Sequence, residues 1–199
     1  MALRAGWSRR PARPRSRQEG QWLIGMGMAS AIRMHFQGAT DVEVAITPER
    51  RVAVRSDLTD IGTGSYTILA QFAAEVLGVA VSEVEVSLGH SSLPVGGGSG
   101  GSWGASNTTA ALHDACLTLI QQADVPAGED FISETLAKHP QGLSVRGTLP
   151  ASSQVPDWNQ KSRHTYGAHF VELAVHRLTG EIRVRRMLGV FSAGRIINP

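Results

Sequence analysis

The chain has one cysteine, Cys116, in 199 residues. An internal disulfide is excluded, a cysteine-rich zinc or iron–sulfur site has no ligands, and a reducing compartment fits. It has no apolar run near the roughly 18 residues that span a bilayer, so a membrane-crossing helix is not expected. Its seven histidines show no spacing with carboxylates that marks a metal site, and no internal repeat is visible. Charged residues make up only 18% and hydrophobic residues 42%, which excludes a disordered chain and allows one core of ordinary size or two small ones.

The net charge of +2 is concentrated at the start. Arg4, Arg9, Arg10, Arg13, Arg15 and Arg17 face only Glu19 before residue 20. Trp7 is the one aromatic residue among them, too few for an interleaved series that stacks on bases, so neither a nucleic-acid nor a membrane partner is expected, and residues 1–20 read as a basic, disordered, solvated arm. The following Trp22-Leu23-Ile24-Gly25-Met26-Gly27-Met28-Ala29-Ser30-Ala31 imitates a signal peptide. The stretch is short, holds two glycines, and is set apart from the arginines by Gln18 to Gln21, with Pro11 and Pro14 interrupting the arginines themselves. The compartment reads as cytoplasmic, with periplasmic export alongside a signal-bearing partner as the alternative.

Residues 21–199 read as an α+β domain, mixed sheets of β-hairpins with packed helices. Val42, Val44 and Ile46 alternate, a Thr47-Pro48-Glu49-Arg50 turn follows, and Val52 and Val54 return, which is a hairpin pattern. Ile68, Leu69, Phe72, Ala73, Val76 and Leu77 have helical spacing, so a helix is predicted over 67–77 with Gly78 as its C-terminal cap. Val84, Val86 and Leu88 alternate as a strand. A second helix is predicted from about Asn107 to Gln122. Residues 123–162 read as mostly irregular, with a short helical run near Phe131 to Ala137. A last hairpin runs from Phe170 through Thr179-Gly180 to Val190 and ends at Gly194-Arg195.

Three segments offer chemistry. In Thr59-Asp60-Ile61-Gly62-Thr63-Gly64-Ser65-Tyr66-Thr67, a glycine turn opens a helix, and backbone N–H groups there can receive an anion. The plain alternative is a tight turn capped by Ser65 or Thr67. The run Gly96 to Gly104 is either a flexible linker or a built loop, and Trp103 with the small-residue helix start after it favours the second. It also matches the nucleophile-elbow pattern at Ser99 and Ser102, with Asp157 and His164 or His169 downstream, but Pro94 and three glycines stand where a buried strand is needed. At the end of the chain, Arg195 beside Asn198 is either a bidentate phosphate grip or an ordinary strand exit.

Taken in order, Gly25-Met26-Gly27-Met28, the segment 59–67, Gly98-Ser99-Gly100-Gly101-Ser102-Trp103-Gly104-Ala105, Gly167-Ala168-His169-Phe170-Val171-Glu172 and Ala193-Gly194-Arg195-Ile196-Ile197-Asn198-Pro199 resemble one family. It is the molybdenum hydroxylases, the xanthine dehydrogenase and aldehyde oxidase type, in their large, molybdopterin-binding subunit. The resemblance implies part of that subunit's second molybdopterin-binding domain. It implies contacts to a molybdopterin cytosine dinucleotide from Ile61, Gly62 and Thr63, from Gly104 and Ala105, and from Arg195, Ile196, Ile197, Asn198 and Pro199. It further implies a reaction hydroxylating aldehydes or N-heterocycles, and electron transfer to iron–sulfur and FAD partner subunits. The family's Gly-x-Gly-Glu motif, whose glutamate is the general base, has no match here, so a fragment with no catalytic residue of its own is expected. The alternatives are a non-catalytic folded remnant and a serine hydrolase using Ser102.

Overall fold

A computed structural model describes residues 6–195. The strands are β1 (Gln18–Glu19), β2 (Trp22–Met34), β3 (Thr40–Ile46), β4 (Val52–Ser56), β5 (Val84–Leu88), β6 (Leu143–Leu149), β7 (His164–His176) and β8 (Ile182–Ser192). The helices are α1 (Ser65–Leu77), α2 (Gly104–Ala123) and α3 (Phe131–Lys138). They form two compact units, one from residues up to His35 and from Ser162 on, the other Phe36–Lys161. Each holds one four-stranded sheet, so the α+β class is the observed one.

The unit formed by both ends of the chain is an antiparallel sheet in the order β1-β2-β7-β8. β2 pairs with β7 along its whole length, from Trp22 opposite His176 to Met34 opposite His164. The apolar stretch that imitates a signal peptide is therefore the start of a 13-residue strand. Its strand character is hidden because Gly25, Gly27, Ala29 and Ala31 occupy one face, and small residues give no hydrophobic alternation. Residues 6–20 are not the free arm that their charge suggests. Trp7 sets its ring edge-on to Phe170 at 5.6 Å, and β1 pairs with β2. Arg17 donates to Glu172 and to Glu19, each at 2.9 Å, while Arg185 donates to Glu19 at 2.7 Å. Strands distant in sequence thus supply the partners of Arg17 and Glu19.

The central unit is a sheet in the order β5-β4-β3-β6 carrying helices on one face. α1 is the crossover that brings β5 parallel to β4. The core is built where the two periodicities meet. Val42, Val44 and Ile46 of β3 and Val52 and Val54 of β4 are sealed beneath Leu69, Ala73 and Leu77 of α1 and Leu112, Cys116 and Leu119 of α2. α1 ends as predicted at Gly78, whose φ of 74° suits glycine and whose N–H donates to the Ala74 carbonyl.

The stretch 123–162 is more regular than its composition suggests, since it contains α3 and β6. Leu143, Val145, Gly147 and Leu149 do alternate with Ser144, Arg146 and Thr148, but a glycine stands in an apolar position and the pattern is lost. The structure shows why it must be glycine. A Cβ at Gly147 would sit 2.2 Å from both the Ala111 carbonyl oxygen and the Ala115 nitrogen, so α2 rests directly on the β6 backbone.

Candidate functional site

β4 delivers the chain into the loop 57–64, and this loop lies beside the glycine-rich segment 94–103. Backbone and side-chain bonds clamp the two together. Asp57 N–H donates to the Pro94 carbonyl at 2.8 Å, Gly96 N–H donates to the Asp57 carboxylate, and Ser99 Oγ donates to the Thr59 carbonyl. The glycine run is thus no flexible linker. A Cβ at Gly96 would meet the Leu58 nitrogen at 2.6 Å, one at Gly97 the Thr40 hydroxyl at 2.7 Å, and one at Gly104 the Gly98 carbonyl oxygen at 2.7 Å. Trp103 fixes the far end of the run, its ring edge-on to Phe36 at 4.5 Å.

Between the two loops opens a cleft of about 480 Å³. Leu58, Ile61, Thr63 and Ser65 wall one side, and Ser99 to Ser102 with Gly104 and Ala105 wall the other. The structure therefore brings Ile61, Thr63, Gly104 and Ala105 into one site, with Gly62 in the same turn. Arg195 is exposed just beyond β8 in the other unit. Ile196, Ile197, Asn198 and Pro199 lie outside the described residues.

Two helix N-termini meet this cleft, and they are dressed differently. At α1 the chain supplies its own anion. Asp60 Oδ1 accepts the N–H groups of Gly62 at 2.8 Å and Thr63 at 2.9 Å, and Oδ2 accepts that of Ser65 at 2.8 Å. Partial burial pushes this carboxyl upward, but the hydrogen bonds from Gly62, Thr63, Ser65 and Gly64 prevail and hold it below its ordinary value. The amides of Gly62 and Thr63 are consequently engaged from within. Thr63 Oγ1 pairs with Ser65 Oγ at 3.2 Å, and the helix N-cap is Gly64 with no side-chain cap bond, so neither Ser65 nor Thr67 is the cap that the sequence suggested. Sequence reasoning missed Asp60 as the acceptor of these amides, although an aspartate two and three residues before the amides it binds is a recognisable turn signal.

At α2 no anion is supplied. This helix of 20 residues has no side-chain cap and no acidic residue in its first turn. Its first N–H groups, on Gly104 and Ala105, carry the partial positive charge of a long helix. Gly104 also lets its neighbours approach more closely than any side chain would allow. This end of the cleft can receive a negatively charged group.

The hydrolase pattern does not assemble. β5 ends at Leu88, so no strand feeds the serines, and Ser99 Oγ is committed to the Thr59 carbonyl. Asp157 accepts from Gln160, His164 lies 3.3 Å from Ser162 Oγ, and His169 packs against Phe191. Ser102 has a φ of 62° and, among the described residues, makes no hydrogen bond to a histidine or carboxylate.

Fold and site together define an α+β domain with a glycine-walled, anion-receptive cleft. The family described as molybdopterin cofactor-binding domain matches residues 1–199. The aldehyde oxidoreductase molybdenum-binding subunit PaoC of Escherichia coli O157:H7 is 41% identical over 98% of this chain and 28% of its own length. The probable hypoxanthine oxidase XdhD of Escherichia coli K12 is 28% identical over 92% of the chain and 22% of its own. Among solved structures, quinoline 2-oxidoreductase from Pseudomonas putida 86 shares the fold with a TM-score of 0.67 at 20% identity, over 90% of this chain and 28% of that one. The Cu,Mo-CO dehydrogenase does so with a TM-score of 0.65 at 19% identity, over 100% and 29%. The chain belongs to the molybdopterin cofactor-binding domain family, that of the large subunits of molybdenum hydroxylases. It spans 28% of the length of the curated relative it matches at 41% identity. Among the described residues no helix is long and apolar enough to cross a membrane.

Proposed function

We propose that this chain forms part of a large subunit that holds molybdopterin cytosine dinucleotide, in an enzyme hydroxylating aldehydes or N-heterocycles. The observation that carries this reading is the bare N-terminus of α2, opening on a cleft whose walls are glycine backbone and small side chains. The residues present fit such a cofactor. A phosphate or pterin oxygen reaching Gly104 and Ala105 finds helix-terminal amide donors with no side-chain cap and no carboxylate in the first turn. When bound, the group supplies the redox chemistry by which an oxygen from water enters a substrate C–H bond, and the electrons pass to iron–sulfur and FAD partner subunits.

This chain's own residues do the positioning. Asp60 keeps the turn at α1 rigid, the Asp57 and Ser99 bonds keep the two loops in register, and Ile61, 62% exposed, offers an apolar wall to an uncharged part of the ligand. Arg195, with Ile196, Ile197, Asn198 and Pro199, is read as a further contact to the dinucleotide.

The test is the cytidine monophosphate and molybdenum released from the chain after expression in a host that makes the dinucleotide, with the remaining large-subunit sequence supplied in trans. Stoichiometric release is expected from the wild type. Ala105→Glu places a carboxylate in the first turn of α2, where it favours the helix but repels an anion. The variant should fold and lose the nucleotide. Absence of nucleotide and metal from the wild type with the remaining sequence present overturns the reading and leaves a folded remnant. Retention by Ala105→Glu overturns the assignment of α2.

A further inference from the structure

The sheet β1-β2-β7-β8 has two faces of different standing. The register and the alternation of side chains place Ile24, Phe170 and Glu172 on one face, where Trp7 and Arg17 from the N-terminal segment cover them. The opposite face carries Val171, Leu173 and Val175 of β7 and Val184, Met187 and Phe191 of β8. From Leu23 to Ala31, Gly167 to Val175 and Ile182 to Phe191, it presents no Asp, Glu, Lys or Arg. An antiparallel sheet with one wet side alternates apolar with polar residues. Here the face under the N-terminal segment carries the charges, Glu172, Arg183 and Arg186, while the opposite face is apolar and exposed.

The bare face is also shaped. Gly25 and Gly27 on β2 leave a shallow trough, with nothing within 4 Å of where their Cβ atoms would stand. Phe191 lies across two other glycines, since a Cβ at Gly167 or Gly189 would fall 2.9 Å or 3.0 Å from its ring. The edge of His169 closes on the same ring at 5.2 Å. The ring is thus fixed from below and still 65% exposed, while Met187 and Val184 beside it are each 60% exposed. A preorganised aromatic ring amid apolar neighbours is the usual form of an interface anchor, and monomers seldom leave so continuous an apolar patch in water.

We infer that this face is the seat of another part of the large subunit, a neutral apolar segment that packs over β7 and β8 and makes the sheet the middle of three layers. The choice of occupant follows from length. The 41% identical relative matches 98% of this chain, yet the match takes up only 28% of that subunit, so most of its polypeptide lies outside this stretch. The inference rests on family membership and not on whether the cleft binds the dinucleotide.

The experiment uses the full chain carrying an affinity tag, co-expressed with the flanking large-subunit sequence of the Escherichia coli relative. Capture of the flanking polypeptide is expected, together with at least a tenfold loss of capture in Val184→Glu/Phe191→Glu and in Met187→Glu alone. Leu178→Glu, at the 76% exposed turn between β7 and β8, should capture as wild type does. Circular dichroism of each variant alone establishes that it folds, as substitution of exposed side chains predicts. No capture by the wild type, or undiminished capture by the folded variants, overturns the proposal. So does a dimer of the isolated chain, seen by sedimentation and abolished by the same substitutions, since that assigns the face to a second copy. Cytidine monophosphate content plays no part in these outcomes.

Discussion

Replacing Gly147 by alanine is the sharpest single test of how the central unit is built. The added methyl would lie 2.2 Å from the Ala111 carbonyl oxygen, 2.2 Å from the Ala115 nitrogen and 2.7 Å from the Ala115 Cα. All three atoms belong to the backbone of α2, so no side chain can rotate out of the way. Overpacking a core costs about 1–3 kcal/mol, and a rigid helix as the neighbour puts this case near about 3 kcal/mol. Reducing the freedom of the unfolded chain returns about 0.4–1 kcal/mol. The net loss is about 2–3 kcal/mol, or about 4–12 °C in melting temperature for a chain of this size. Cys116, fully buried on α2, supplies a probe confined to this unit, and the urea concentration at which its thiol becomes reactive locates the transition. Gly128→Ala is the control, because nothing lies within 4 Å of the Cβ it would add. It should leave the transition in place or move it slightly upward. A Gly147→Ala variant within about 0.5 kcal/mol of wild type would refute the direct seating of α2 on β6.

Three further outcomes follow from the packing and from Asp60. Leu112→Ala, which empties a fully buried position facing β3 and β6, should cost about 2–5 kcal/mol in the same urea assay, and a loss under about 1 kcal/mol would mean that the core is looser than described. Asp60 has a folded pKa held below its ordinary 3.8, so its contribution to stability is fully present above that value and disappears as pH falls through the lower, folded one. Asp60→Asn should therefore melt earlier than wild type at pH 6, with the gap closing in strongly acidic buffer; a gap of constant size across that range would contradict the role given to the carboxylate. Burial pushes the Cys116 thiol up to about 12, so a disulfide reagent at pH 8 should label native protein negligibly and unfolded protein stoichiometrically, and rapid native labelling would place Cys116 elsewhere.

How far the sequence was legible depended on whether a face was written in large apolar side chains. The hairpin β3–β4, the strand β5 and the helix α1 could be read to within about two residues because valine, isoleucine and leucine mark their periods. β2 and β6 could not, since glycine and alanine stand where the alternation needs bulk. In β6 the missing bulk is what lets α2 lie flat on the strand. The sequence pattern starts α2 near Asn107 and the structure at Gly104 for a related reason, because Gly104-Ala105-Ser106 carries no large apolar marker and the helix has no side-chain cap. The loops that wall the cleft were visible as glycine turns. The bonds that hold them were not, because Asp57 and Gly96 are 39 residues apart and no local pattern joins them.

The unequal treatment of the two helix ends bears on how any anionic ligand must lie. Glycine turns at helix starts look alike in sequence, and both here invite an anion by the same reasoning. The structure separates them by one side chain. Asp60 places a full negative charge at the start of α1 and saturates its amides, so a second anion there would meet repulsion and find no free donors at Gly62, Thr63 or Ser65. At α2 the donors are bare and no carboxylate stands in the first turn. A ligand with a charged end and an uncharged end is therefore oriented by the protein before any specific contact forms, its charge toward Gly104 and Ala105 and its neutral part toward Ile61. Removing Asp60 would loosen the α1 turn and at the same time erase that orientation. Asp60→Asn keeps one accepting oxygen for Gly62 and Thr63 but loses the acceptor of the Ser65 N–H and the charge, whereas Asp60→Ala loses every acceptor, so the difference between the two variants reports the part of the turn that the remaining oxygen holds.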